Sequence, residues 1–332
     1  MAQSVPNDSL QQRMAAEELK FRQSLQSRNV QKQQAYALTQ ALAGDTVNLQ
    51  LARNSRNIAP ELSENIRTEQ IAPNLCLFAP KQKSRKPRPL LLYLHGGGWC
   101  LGSINSCAQF CAAVAESANC CVVALNYPLA PEFPYPAALN SCVEAYHFLR
   151  ANAKTWGADS TLISIGGDSA GGNLAIATCF RVKGVRSVVP IYPVTKLFAE
   201  HTLSYMKYAR GYGNDTELLH TFYKAYVGTD SVKNPLLSVG LAPDSLLHRL
   251  PPMLLLSAGH DVLADQGREF VERVQKATHL PVNYQLFPTA THLFITVQGQ
   301  STAFNQAVQL VSQFLATDRK KSMPLPLPRR IQ

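Results

Sequence analysis

The 332-residue chain has no apolar run approaching the roughly 18 residues that a membrane-spanning helix needs. Its first twenty residues, Met1 to Lys20, carry no apolar core of the kind a secretory leader uses. Both absences lead to a cytoplasmic expectation without stable membrane insertion. Charge is also scarce, at 16% of residues against 46% hydrophobic, which excludes a disordered or low-complexity protein. Acidic residues are the rarer sign, 22 against 32 Lys and Arg, leaving a net +10. The surplus is local. Lys81, Lys83, Arg85, Lys86 and Arg88 hold half of it, and Arg319, Lys320, Lys321, Arg329 and Arg330 the other half, with no acid inside either cluster. The rest of the chain is balanced, so no basic face for nucleic acid is expected, and charge runs of this kind read as solvated loops.

Eight cysteines are present, but no Cys-x-x-Cys pair. Cys76, Cys120, Cys121 and Cys179 sit in apolar runs, and Cys107 and Cys111 are a helical turn apart. They read as buried free thiols of a reducing compartment rather than a disulfide framework. No His or Cys arrangement has metal-ligand spacing, so neither metal nor cofactor is expected. Internal repeats are absent.

From Leu10 to Leu42 the chain is rich in Gln, Ala and charge, and Leu10, Met14, Phe21 and Leu25 fall near one helical face. One or two amphipathic helices are expected there, packed on the main body or over the mouth of a site. After Pro73 short apolar runs alternate with helical segments, the mark of a mainly parallel sheet covered on both faces. Leu90–Leu94, Cys121–Leu125, Leu162–Ile165, Ser187–Tyr192 and Met253–Ser257 read as buried strands. Val282, Tyr284 and Leu286 alternate like a strand nearer an edge, and Leu75–Phe78 reads as an earlier antiparallel strand. Helices are expected at about 104–118, 137–152, 171–182, 264–278 and 300–316. Residues 196–239 interrupt the alternation with Phe198, Tyr205, Tyr208, Tyr212, Phe222, Tyr223 and Tyr226, a helical insertion forming part of a lid. The division is a helical cap or arm over 1–69, a catalytic domain over 70–318 with that insertion, and a basic, Pro-rich tail over 319–332.

Gly167-Asp168-Ser169-Ala170-Gly171-Gly172 lies between a predicted strand and a predicted helix. A serine in a strained strand-to-helix turn can project its hydroxyl only if its neighbours lack clashing side chains. Ser169 is the expected nucleophile, and the Ala170 amide at the helix start an expected oxyanion donor. His95-Gly96-Gly97-Gly98-Trp99 follows another strand, and its glycines let the amides of Gly97 and Gly98 face a substrate oxygen closely. Neither Gly-x-Gly-x-x-Gly spacing nor a following Lys-Ser or Lys-Thr supports a phosphate-binding loop instead. His95 itself is expected to fix the loop, and Asp168 to turn into supporting hydrogen bonds.

A serine nucleophile needs a base, and the base needs an acid to set its tautomer. His292 follows the last strand by a short loop, at the carboxyl edge where it can face Ser169. His147, His201, His220 and His248 fall in helices or the insertion, and His279 lies at the opposite sheet edge. His260 is the competitor, but its neighbour Asp261 is the better carboxylate for that edge. Asp261 is therefore the expected acid, with Asp265, one turn later, the alternative.

The order Ser169, Asp261, His292 is that of α/β-hydrolases. The two glycine motifs, together with Asn126-Tyr127-Pro128-Leu129-Ala130-Pro131-Glu132 and Pro134-Tyr135-Pro136-Ala137-Ala138, resemble the hormone-sensitive-lipase-like esterases over about residues 70–316. The resemblance implies an α/β-hydrolase fold with an eight-stranded, mostly parallel sheet and a helical cap. It also implies hydrolysis of short- to medium-chain acyl esters through Ser169, His292 and Asp261, without a cofactor. Asn126 departs from the family's usual Asp, Leu129 follows Pro128 where the family generally has Arg-Leu, and Leu293 stands in place of the Gly that commonly follows the catalytic His. The expected partner is a small ester; a homodimer is compatible with this reading. The rival functions are a non-catalytic binder on the same fold and an interfacial lipase on long chains.

Overall fold

The structure is a computed structural model that describes residues 7–316. The second basic cluster and the prolines at 324, 326 and 328 lie outside the described residues. Three helices come first, α1 (Asn7–Arg28), α2 (Val30–Leu42) and α3 (Val47–Arg56). The body then runs β1 (Ile66–Ala72), β2 (Leu75–Pro80), β3 (Arg88–Leu94), α4 (Ile104–Ser117), β4 (Cys121–Leu125), α5 (Ala137–Asn152), β5 (Ala158–Asp168), α6 (Ala170–Arg181) and β6 (Val188–Ile191). After the insertion, which carries α7 (Leu203–Lys207) and α8 (Thr216–Val227), come the short α9 (Asp244–Leu247), β7 (Met253–His260), α10 (Ala264–Thr278), β8 (Val282–Thr291) and α11 (Ser301–Ala316).

The eight strands form one sheet in the order β1-β2-β4-β3-β5-β6-β7-β8. β1 pairs antiparallel with β2 and β2 with β4, and all pairs from β4 to β8 are parallel. Successive side chains of a strand point to opposite faces, and both faces here are covered. In β3, Leu90, Leu92 and Leu94 enter one buried cluster while Leu91 and Tyr93 enter the other; Cys121, Val123 and Leu125 of β4 part from Val122 and Ala124 in the same way. This is why these strands read as continuous apolar runs rather than as alternating ones. α6 lies on the first face and is buried almost along its length, whereas α4 and α11 cover the second.

The helices owe their positions to the same periodicity. α10 buries Gln266, Gly267, Phe270, Val271 and Val274, spacing that puts one stripe on the sheet. Seven of the eight cysteines are buried and all are free. The Lys81 to Arg88 cluster divides: residues 81–87 are an exposed loop, but Arg88 starts β3 and is buried, its Nε donating to Asn119 Oδ1 at 2.9 Å. The fifth cation of that run is thus a structural strand residue and not part of a solvated loop.

The arm is tied to the body by polar contacts. Glu17 accepts from Ser301 Oγ and from the Thr302 amide at the start of α11, while Glu18 pairs with Arg22 and His260. Arg53 on α3 makes a fork to both carboxylate oxygens of Glu132 at 2.7 and 2.8 Å and also donates to the carbonyls of Cys100 and Ala130. No helix among the described residues is long and apolar enough to cross a membrane.

Candidate active site

In a parallel sheet the carboxyl ends of the strands share one edge, so loops far apart in sequence meet there. β3 delivers the glycine loop, β5 delivers Ser169, and β7 and β8 deliver Asp261 and His292. The last two strands are in register at their ends, His260 opposite Thr291, so the next residue of each, Asp261 and His292, leaves the sheet side by side.

Ser169 sits at φ 56°, ψ −117° between β5 and α6, a conformation that L residues rarely adopt. The surroundings impose it. A Cβ on Gly167 would lie 2.4 Å from the Leu94 carbonyl oxygen, and one on Gly171 would lie 1.9 Å from the same atom. Only glycine on both sides lets α6 start this close to β3, which is the physical content of the Gly-x-Ser-x-Gly pattern.

Ser169 Oγ is 2.8 Å from His292 Nε2, and His292 Nδ1 is 2.6 Å from Asp261 Oδ2. Asp261 Oδ1 accepts from the Leu263 amide at 3.1 Å, so both its oxygens are engaged. All three side chains are buried, and the Tyr192 ring lies 4.5 Å from the imidazole, tilted against it. Asp265, the alternative acid, faces elsewhere: it accepts from the Ser204 amide at 2.8 Å in the first turn of α7 and pairs with Arg268. His260 turns toward Glu18, 3.0 Å away, and the rings of Tyr208 and Tyr212.

In the glycine loop, Gly97 has φ +115° and a Cβ there would lie 2.3 Å from the Leu101 carbonyl oxygen, whose own amide donates back to Gly97 O at 2.8 Å. Among the described residues no backbone acceptor takes the amides of Gly97, Gly98 or Ala170. The loop is fastened from beneath. Asp168 Oδ1 accepts from Tyr93 Oη at 3.0 Å and from the Gly96 amide at 3.1 Å. His95 Nδ1 donates to Gly96 O at 2.8 Å, its ring stacks on Tyr127 at 4.3 Å, and Tyr127 Oη donates to the His95 carbonyl. Burial pushes Asp168 up to about 6, against opposing hydrogen bonds and charges, and pulls His95 down to about 4. His95 is therefore a neutral scaffold near pH 7. Asn126, in place of the family's usual Asp, still accepts from the Ile104 amide at 2.7 Å and so serves the start of α4.

These groups open on a cavity of about 320 Å³. Its floor includes Gly97, Gly98, Ser169 and His292, and its walls include Gln34, Ser55 and Arg56 from the arm, Asn214 and Phe222 from the insertion, and Leu293. Of the insertion aromatics, Phe222 lines this cavity. Tyr226 instead stacks on Trp99 with centroids 4.4 Å apart, and Tyr223 packs beside them, so those two brace the glycine loop from behind. Tyr192, Arg53, Arg56 and Asn214 were not among the residues expected at the site. Arg56 carries no local pattern; Tyr192 alone had a signal, as the end of a predicted strand at the active edge. Among the described residues no group of three or more His, Cys, Asp or Glu is placed to hold a metal ion.

Residues 91–296 match a family model described as the alpha/beta hydrolase fold. The chain is 32% identical over 212 residues to ethyl acetate hydrolase of Pseudomonas putida (62% of this chain, 65% of that one). It is 33% identical over 195 residues to an arylesterase of Saccharolobus solfataricus (57% and 62%). The matches thus span less than two thirds of these curated relatives. Among solved structures, an alpha/beta hydrolase enzyme from the metagenome of Lake Arreo, Spain, superimposes with TM-score 0.71 at 28% identity, covering 82% of this chain and 90% of that one. With the sheet order, the serine turn and a match across most of the body, the chain belongs to the α/β-hydrolase fold family, as its resemblance to the hormone-sensitive-lipase-like esterases implied.

Proposed function

We propose that this protein is a carboxylic ester hydrolase that works through a covalent acyl-enzyme on Ser169. The observation that carries the reading is the unbroken relay from Ser169 Oγ to His292 Nε2 at 2.8 Å and from His292 Nδ1 to Asp261 Oδ2 at 2.6 Å. His292 Nε2 takes the hydroxyl proton as Ser169 attacks the ester carbonyl, while Asp261 holds the imidazole as the tautomer with its proton on Nδ1. The amides of Gly97, Gly98 and Ala170 receive the oxyanion. Collapse of the tetrahedral species returns the proton from His292 to the departing alcohol. Water then repeats the attack on the acyl-enzyme with His292 as base, and the acid leaves.

The reading extends to short- and medium-chain acyl groups. A cavity of about 320 Å³ has room for roughly ten water molecules, taking about 30 Å³ for each. Curated relatives named ethyl acetate hydrolase and arylesterase favour the same class. The test is turnover of p-nitrophenyl acetate and butyrate by the native protein and by Ser169→Ala. The expected loss in the variant is roughly a thousandfold or more. Turnover at the native rate in Ser169→Ala, or none by the native protein on any ester of this class, overturns the proposal.

A further inference from the structure

One charged side chain in the cavity wall has no counterpart. Arg56 closes α3 and lines the cavity together with Ser169 and His292. The other arginines of the arm near the site are engaged: Arg22 with Glu18, and Arg53 with Glu132. Arg56 has no hydrogen bond and no carboxylate within ion-pair distance among the described residues. The carboxylate nearest it in the cavity wall, Asp168, has one oxygen committed to Tyr93 and the Gly96 amide and reaches Arg56 only through longer-range attraction. Burial is the largest influence on Arg56 and opposes its charge. Arg56 is half-buried and an arginine keeps its proton in proteins, so this unpaired guanidinium in the cavity wall is free to take an anion from the cavity.

A second group points the same way. Asn214, 7% exposed, comes from the insertion and lines the same cavity, and its Nδ2 has no hydrogen-bond partner. The arm and the insertion therefore each bring a polar side chain with unfilled hydrogen-bonding capacity to the wall of one space that also contains the serine hydroxyl. The position of Arg56 is fixed from within its helix. Arg53, three residues earlier and so on the same face, is anchored by its fork to Glu132 and by two carbonyls. That sets the last turn of α3 against the glycine loop.

We propose that Arg56 and Asn214 form a subsite for a carboxylate carried by the substrate, so that the preferred esters are those with a second, ionised acid group. The planar guanidinium offers two parallel N–H donors to a carboxylate, and Asn214 borders the same space from the insertion. The inference rests on Ser169 being the nucleophile, and it deepens that reading from an ester in general to an anionic ester.

The experiment compares monoethyl succinate and monoethyl glutarate with ethyl pentanoate, and O-acetyllactate with isopropyl acetate, following acid release in a pH-stat at neutral pH. The first set places the carboxylate on the acyl side and the second on the alcohol side. The native protein is expected to favour the anionic ester in one set. In Arg56→Gln the ratio of kcat/KM for anionic over neutral ester should fall about 10- to 100-fold, mostly through KM, the worth of one hydrogen-bonded charge. Arg56→Lys should recover part of the ratio. If Arg56 serves only to balance Asp168, both ester classes change together and the ratio does not move, which overturns the proposal. A native preference for the neutral ester in both sets overturns it as well. Ser169→Ala separates this from failure of the catalytic reading. In one of the two sets the anionic ester should raise the Tm of that inactive protein more than its neutral counterpart does, and equal shifts in both sets would count against the subsite whether or not the native protein hydrolyses esters.

Discussion

Asp168 and His95 lie under the glycine loop with opposite responses to acid. Asp168 rises to about 6 in the folded protein from an unfolded value near 3.9, and His95 falls to about 4 from about 6.5. Between about pH 4 and 6 the unfolded chain has His95 protonated and Asp168 ionised, whereas the folded protein has the reverse. For His95 the unfolded state holds the extra proton, so its contribution to stability is present above about 6.5 and is lost as pH falls toward 4. For Asp168 the folded state holds it, so the contribution is present below about 3.9 and is lost as pH rises through 6. The two slopes oppose each other, each at most about 1.4 kcal/mol per pH unit. Asp168→Asn should therefore expose the histidine slope: Tm should fall more steeply from pH 6.5 to 4.5 in the variant than in the native protein, as thermal melts across that range would read. An equally shallow or shallower dependence in the variant counts against it. At the same scale, Gly97→Ala forces a Cβ toward the Leu101 carbonyl at a positive φ. If the loop supplies oxyanion donors, kcat should drop by roughly 100- to 1000-fold with a smaller change in KM. Asp261→Asn should lower kcat by about four orders of magnitude by favouring the wrong imidazole tautomer, while circular dichroism stays native.

Among the elements, α3 connects the arm to the chemistry. It buries only Leu49, and its hold on the body is the Arg53 fork. Arg53→Ala should cost about 1 to 3 kcal/mol, the usual worth of charge-assisted hydrogen bonds of this kind. Backbone amides of 47–56 should then exchange faster than those of β3 or α6, and uniform exchange across all three would show that the fork does not secure the helix. The same scarcity of burial explains why α3 was not legible in the sequence: one buried leucine makes no periodicity. β1 escaped for a related reason, since Arg67, Thr68, Glu69 and Gln70 of this edge strand face solvent or nearly so. β5 was read only over Leu162–Ile165 because its first half, Ala158 to Thr161, is polar, yet it continues the ladder with β3 from Ala158. β3, β4, β6 and α4, α5, α6, α10 and α11 were legible within a residue or two, because burial on both faces or along one stripe writes itself into the apolar pattern, while β7 runs three residues beyond Ser257 to His260.

For the whole molecule, the site is a meeting of three separately written parts. The strand-edge loops bearing Ser169, Asp261 and His292 announce themselves by glycine, strand ends and chain order. The wall contributed by the arm and the insertion does not, since Arg56 and Asn214 acquire meaning only when α3 and the segment before α8 close over the same cavity. Leu293 joins those parts, its side chain standing against Gly213 of the insertion, near Leu25 of the arm. Leu293→Gly should loosen this contact and enlarge the acyl space, shifting the optimum of a p-nitrophenyl ester series toward longer chains with only a small change in kcat for acetate. An unchanged optimum would place Leu293 outside the acyl path.

The most direct test of the central claim is titration with a fluorophosphonate ester, read by intact mass and peptide mapping. One covalent adduct per chain is expected, on the peptide containing Ser169, absent in Ser169→Ala and much slower to form in His292→Ala. No adduct, or an adduct on a different serine with Ser169→Ala still labelling fully, would contradict it.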